Sequence, residues 1–226
     1  MLEELAVPYR LNLLQLTRGD QFQPAFLAIS PNAKMPAIVD HDPVDQGGPQ
    51  TVFESGAILH YLAQKHQKFW PQDRRQQIQA YEWLFWQVGN QGPMMGQLSH
   101  FHNYAPKENK SYGLKRYLGE AERCLAVLER RLANQEWVVG DHYGVADIIC
   151  FPWAFITRHL GGDLNKFPNV KAWREKIKSR PAVQRAIDLG KEHANHDQNA
   201  SNNSILFNQG ANHLMNEPNV NGPIVS

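Results

Sequence analysis

The periodicity of this chain changes once and does not change back. As far as about residue 66, short alternating or apolar runs are separated by Gly- and Pro-containing turns. From about Gln72 onward only long stretches remain, with apolar residues every three or four positions. A repeat of two belongs to strands and a repeat of 3.6 to helices, and a pattern written for one does not settle as the other. The sequence therefore predicts two units: a small α+β unit over 1–66 and an all-α unit over 74–193. Residues 67–73, within the segment KHQKFWPQDRR, form the linker. Residues 194–226 turn to Asn, Gln, Ser, Gly and Pro with few apolar side chains, too little to offset the entropy of ordering, and are predicted to be a mobile tail.

Within the first unit, MLEELA reads as the end of a helix closed before Pro8, and Tyr9 to Leu16 alternates as a strand does. Met35 to Val39 and Thr51 to Phe53 read as two further strands. The turn-rich DHDPVDQGGPQ between them suits a hairpin loop longer than two residues. Ser55 to Lys65 carries Ile58, Leu59, Tyr61 and Leu62 at helical spacing. In the second unit Leu118, Ala121, Leu125, Leu128 and Leu132 make one helical stripe. DIICFPWAF, from Asp147, is apolar all round and predicts a buried helix, and Val170, Trp173 and Ile177 mark another.

Composition narrows the partners. The 226 residues are 42% hydrophobic with a net charge of +1, so the global field favours neither nucleic acid nor an anionic membrane. No apolar run approaches the ~20 residues of a membrane span, and the N-terminus lacks a secretion-signal pattern, which points to the cytoplasm. Cys124 and Cys150 fall in no CxxC or zinc-type spacing and read as inert core residues. His100 and His102 have no third partner at metal-ligand spacing; no metal is expected, and the pair is read as lining the substrate cleft. The Trp- and Met-rich stretch from Trp83 to Met95 reads as core, with Gly89, Gly92 and Gly96 permitting close approach of a ligand or second subunit.

One stretch, KMPAIVDHDPVDQGGPQTVFESGAILHYLA from Lys34, joins two unusual ends. Pro36 heads a strand and withholds one ladder hydrogen bond, so the backbone of Met35 is left to offer its N–H and C=O to an extended guest. Ser55 reads as the N-cap of a helix whose end attracts a carboxylate, while Glu54 beside it suits an ammonium. Lys34 suits a second carboxylate at the guest's far end. A short peptide with a zwitterionic head and a distal carboxylate meets these demands, which describes glutathione.

With SPNAKMPAIVD, FESGAILHYLA, YEWLFWQVGNQGPMMGQ and SRPAVQRA in place, residues 1 to about 190 resemble the glutathione transferase superfamily. The resemblance is narrower to its nu class, whose members reduce disulfides with bound glutathione. It implies a thioredoxin-like first unit, an all-helical second unit, a homodimer, and glutathione as cosubstrate. It further implies glutathione contacts from Gln21, Lys34, Met35, Glu54 and Ser55, with Arg116 reaching the site from the helical unit. Glutathione conjugation to an electrophile, or a non-catalytic regulatory role on the same fold, are the alternatives. The family's first strand and Thr-Pro-Asn-type loop, which lie nearest the glutathione sulfur, have no counterpart in the chain. The expected first unit is thus one strand short, the catalytic residue stays unassigned, and the working protein is expected to begin about one strand, one loop and half a helix upstream. Where the family places Ser or Thr before a buried helix this chain has Gly144, and Asp147 keeps the other half of the capping box in a structural role.

Overall fold

The computed structural model describes residues 1–193 and 210–215. Its first unit runs α1 (Leu2–Leu5), 3₁₀ turns at Leu16–Arg18 and Asp20–Phe22, α2 (Pro24–Leu27), β1 (Ala37–Asp40), β2 (Gln50–Phe53) and α3 (Ser55–His66). Helices α4 (Arg74–Trp86), α5 (Gly92–Asn103), α6 (Lys107–Leu132), α7 (Val145–Ile156), α8 (Pro168–Lys178) and α9 (Pro181–Glu192) follow. A π-helical turn at Gln87–Gln91 sits between α4 and α5. A last short helix, α10 (Asn212–Met215), brings the His213 ring 4.7 Å from Phe22. The predicted mobility of the tail otherwise falls on 194–209 and 216–226, outside the described residues.

The strand expected after α1 does not form. Tyr9 to Leu16 is not a strand: the segment runs without regular structure into the 3₁₀ turn at Leu16–Arg18. Alternation alone makes no strand, because the extended backbone must exchange hydrogen bonds with a neighbour. Among the described residues the sheet holds only β1 and β2, and Tyr9, Leu11 and Leu13 are exposed.

Packing explains the rest. Leu5 of α1 meets Ile58 and Leu62 of α3 over Ile38 and Val52 of the hairpin, which gives the small sheet its one covered face. The opposite side of α3 supplies Leu59 and Ala63 to the large core, where Leu125, Leu128 and Leu132 of α6, Ile149 and Cys150 of α7, and Val170, Trp173 and Ile177 of α8 converge. The α6 stripe thus faces inward as its three- and four-residue steps require. A second tie joins α1 to the start of α9: Arg180 donates to both carboxylate oxygens of Glu4 at 2.7 and 2.9 Å, and Arg185 pairs with Glu3 at 2.6 Å. A bidentate guanidinium–carboxylate pair is among the stronger surface contacts.

Candidate functional site

The β1–β2 hairpin builds the site. Ala37 stands opposite Phe53 and Asp40 opposite Gln50, so Pro36 and Glu54 are the next residues out on the two strands. The register thereby delivers Lys34–Met35–Pro36 and Glu54–Ser55 to one end of the hairpin. Asn32 ties the two sides directly, its amide donating to Glu54 Oε1 at 3.3 Å. Ser30, buried, donates to the Lys34 carbonyl at 2.9 Å and so fixes the loop that enters β1. The Met35–Pro36 peptide bond is cis, and Met35 is 50% exposed.

Glu54 itself is the N-cap residue of α3, with Ser55 the first helical residue, which moves the cap one position upstream of the sequence expectation. A helix end is set by where the φ and ψ angles change, and at Glu54 they are 69° and 124°. That combination lies outside the regions an L-residue favours and costs roughly 1–3 kcal/mol. No side chain caps this helix, and its first internal bond is from the Ile58 N–H to the Glu54 carbonyl. The N–H groups of Ser55, Gly56 and Ala57 precede that bond and point, with the positive end of the helix dipole, toward whatever lies beyond Glu54. This end can therefore hold a carboxylate, and Glu54 can hold an ammonium beside it.

The floor beneath is firm. An added Cβ on Gly56 would lie 3.4 Å from Val88 in the π-helical turn, so the first turn of α3 rests directly on the helical unit. Farther along the hairpin, Asp40 accepts from Tyr61 at 2.7 Å and Lys65 at 2.6 Å. Burial alone would raise the Asp40 carboxyl, but these bonds and the Asp42 amide outweigh it and hold the group at about 2. Burial, then Asp40, push Tyr61 up to about 12. This cluster clamps β1 to α3, and neither it nor Asn32 was singled out from the sequence. Both depend on the hairpin register, for which no residue pattern in the sequence is a signal.

The other candidates fall in different surroundings. Gln21 lies in the Asp20–Phe22 turn, 1% exposed, with both amide atoms unpartnered among the described residues. A buried amide left open in this way is a group awaiting a hydrogen bond. Arg116 lies on α6, exposed, and donates to Glu120 at 2.8 Å, a pairing along its own helix rather than toward the hairpin. Asp147 is fully buried at the start of α7: Oδ1 accepts from the Val138 amide at 2.9 Å and the Trp173 indole at 2.8 Å, and Oδ2 from the Gly144 amide at 3.1 Å. Among the described residues no cluster of His, Cys, Asp or Glu is arranged to hold a metal. His102 contacts Asn103, and His100 lies edge-on to Phe101. Cys124 and Cys150 are both buried, and burial raises both thiols. No helix among the described residues is long and apolar enough to cross a membrane.

Known proteins share this architecture. Residues 1–65 match the glutathione S-transferase N-terminal domain and residues 93–181 the glutathione S-transferase C-terminal domain. The chain is 48% identical over 186 residues to the disulfide-bond oxidoreductase YfcG of Escherichia coli (strain K12), covering 82% of this chain and 86% of that one. A crystal structure of a Burkholderia graminis glutathione transferase with two glutathione molecules bound per subunit superimposes with a TM-score of 0.76 at 40% identity, covering 83% and 80% of the two chains. A Pseudomonas putida glutathione transferase with one glutathione disulfide bound per subunit gives 0.74 at 36% identity, covering 81% and 82%. The short hairpin carrying Glu54–Ser55 and the helical unit beneath it are those of a family member: this chain belongs to the glutathione S-transferase family.

Proposed function

We propose that this protein reduces disulfides with glutathione, holding the peptide at the hairpin end. The observation that carries the reading is Glu54: a carboxylate on a strained stretch of backbone at an uncapped helix end, at the same end of the hairpin as Met35 and Lys34. In this arrangement the α3 N–H groups and Ser55 take the peptide's α-carboxylate and Glu54 its ammonium. The Met35 backbone pairs with the peptide's middle, Lys34 takes the distal carboxylate, and the Gln21 amide supplies a further hydrogen bond. Pro36 and Asp147 serve the framework, and Arg116 is free to swing toward a second peptide if its Glu120 pairing opens.

Glutathione supplies the thiol chemistry: two glutathione molecules reduce one disulfide to two thiols and leave as one glutathione disulfide, so electrons and protons balance without a protein thiol. What the chain contributes is binding and orientation. The name of one relative above, a disulfide-bond oxidoreductase, and the two glutathiones or glutathione disulfide bound by the others support this reading. No metal is needed. The free buried cysteines fit a reducing cytoplasm. A homodimer completes the proposal, with the α4 stripe of Ile78, Tyr81 and Phe85, all exposed, as the face between two copies.

The test is glutathione-dependent reduction of hydroxyethyl disulfide. A Cys124→Ala, Cys150→Ala double variant is expected to keep activity within about twofold, since both thiols are buried and raised. Loss of turnover with the fold intact overturns the glutathione-only mechanism. Strong conjugation of an aryl halide without disulfide turnover selects the transferase reading instead.

A further inference from the structure

A cavity of about 370 Å³ lies between the segment from Phe69 to Gln76 and the loop before α7. Its walls include Trp70, Asp73, Gln76, Asp141, His142 and Tyr143. It sits past the C-terminal end of α3, while Glu54 and Ser55 mark the other end. At 1.5 Å per residue the 12 residues of α3 separate the two places by ~18 Å.

The space is built into the backbone. At one end of the loop Gly140 has φ 62°, and a Cβ there would lie 2.9 Å from the Gln76 side chain. At the other end a Cβ on Gly144 would lie 3.0 Å from the Phe69 carbonyl, which accepts the Val145 N–H at 3.0 Å. Two close approaches pin the loop to the facing segment, and residues 141–143 arch between them. The rings are held as well. Arg180, fixed by Glu4, stands 3.9 Å over Tyr143, and Trp70 meets His60 and Tyr81 edge-on at 4.7 and 4.8 Å. A cavity of this size, with fixed rings on one side and the polar groups of Asp73, Gln76, Asp141 and His142 around them, is within the range of small-molecule sites.

Its charge selects the ligand. The lining carries the carboxylates of Asp73 and Asp141 and no Lys or Arg, and the Arg180 guanidinium that stands over the wall residue Tyr143 is paired with Glu4. Asp73 spends one oxygen on the Gln76 amide at 2.9 Å, and Asp141 has no hydrogen bond or ion pair among the described residues. We infer that this cavity binds an organic cation, an amine or quaternary ammonium on a flat apolar body, with the charge near Asp141 and Asp73 and the body against Trp70, away from the Tyr143 ring that Arg180 covers. An anionic peptide such as glutathione is repelled by the same carboxylates, so the inference stands apart from the reading of the hairpin site.

Titration calorimetry of the full chain with benzyltrimethylammonium, benzyl alcohol and benzenesulfonate tests it. The cation is expected to bind one per chain with a dissociation constant between about 10 μM and 1 mM, the neutral compound at least tenfold more weakly, and the anion not at all. Asp141→Asn is expected to weaken cation binding about two- to fivefold at an unchanged melting temperature, because its side chain is exposed and holds nothing else. Asp73→Asn keeps the helix cap and is expected to weaken it several-fold. Equal binding of the neutral compound, no saturable binding of the cation, or an undiminished affinity in Asp141→Asn overturns the inference.

Discussion

Asp147→Ala is expected to destabilise the protein by about 3–5 kcal/mol at pH 7, read as a large fall in the urea midpoint. Three donors lose their acceptor at once: the Val138 and Gly144 amides and the Trp173 indole. Each buried group left without a partner costs ~1–3 kcal/mol, and relief from burying the carboxylate returns only part of the sum. The pH dependence has a definite sign. Burial lifts the Asp147 carboxyl to about 6 against the hydrogen bonds that favour its charged form. A carboxyl raised on folding contributes stability that is present below its unfolded value, near 3.8, and is lost as pH climbs through about 6. Asp147→Asn removes that titration while keeping an acceptor for Val138 and Trp173. Its deficit relative to the parent is expected to be greatest near pH 4 and to shrink between pH 4 and pH 6. Urea unfolding at several pH values checks this, and a deficit that stays constant refutes the assigned shift.

Glu54→Gly is expected to separate stability from function. Glycine occupies φ 69° without the penalty an L side chain meets there, so the variant should be at least as stable as the parent and up to about 1 kcal/mol more so. The carboxylate proposed to hold the glutathione ammonium is gone, and the Asn32 contact with it, so the dissociation constant for glutathione is expected to rise about 10- to 100-fold. Calorimetry reads the affinity and thermal unfolding the stability. A fall in stability together with unchanged affinity would show that the backbone at Glu54 serves the fold and not the ligand.

The sequence by itself determined the order of events along the chain. The switch from period two to period 3.6 near the linker marks the end of strands, and the inward stripe of α6 follows from Ala121, Leu125, Leu128 and Leu132. Asp147 at the head of an apolar run was legible as a cap residue, because capping is a relation between residues three apart. Lys34, Met35, Glu54 and Ser55 were legible as candidates for a related reason: each flanks a strand or helix end, and such ends carry backbone groups the element cannot satisfy.

Only the tertiary structure decided the rest. Tyr9 to Leu16 alternates as well as any strand, yet pairing needs a neighbour that no local pattern can promise. Asn32 reaches Glu54, and Lys65 reaches Asp40, because the β1–β2 register and the packing of α3 on that hairpin place them there. The cavity beneath Gly140 and Gly144 arises where two segments far apart in sequence pack closely, Gly140 on the Gln76 side chain and Gly144 on the Phe69 carbonyl. Contacts of that kind depend on distances in space, and residues well separated along the chain record them only weakly in the local pattern of side chains.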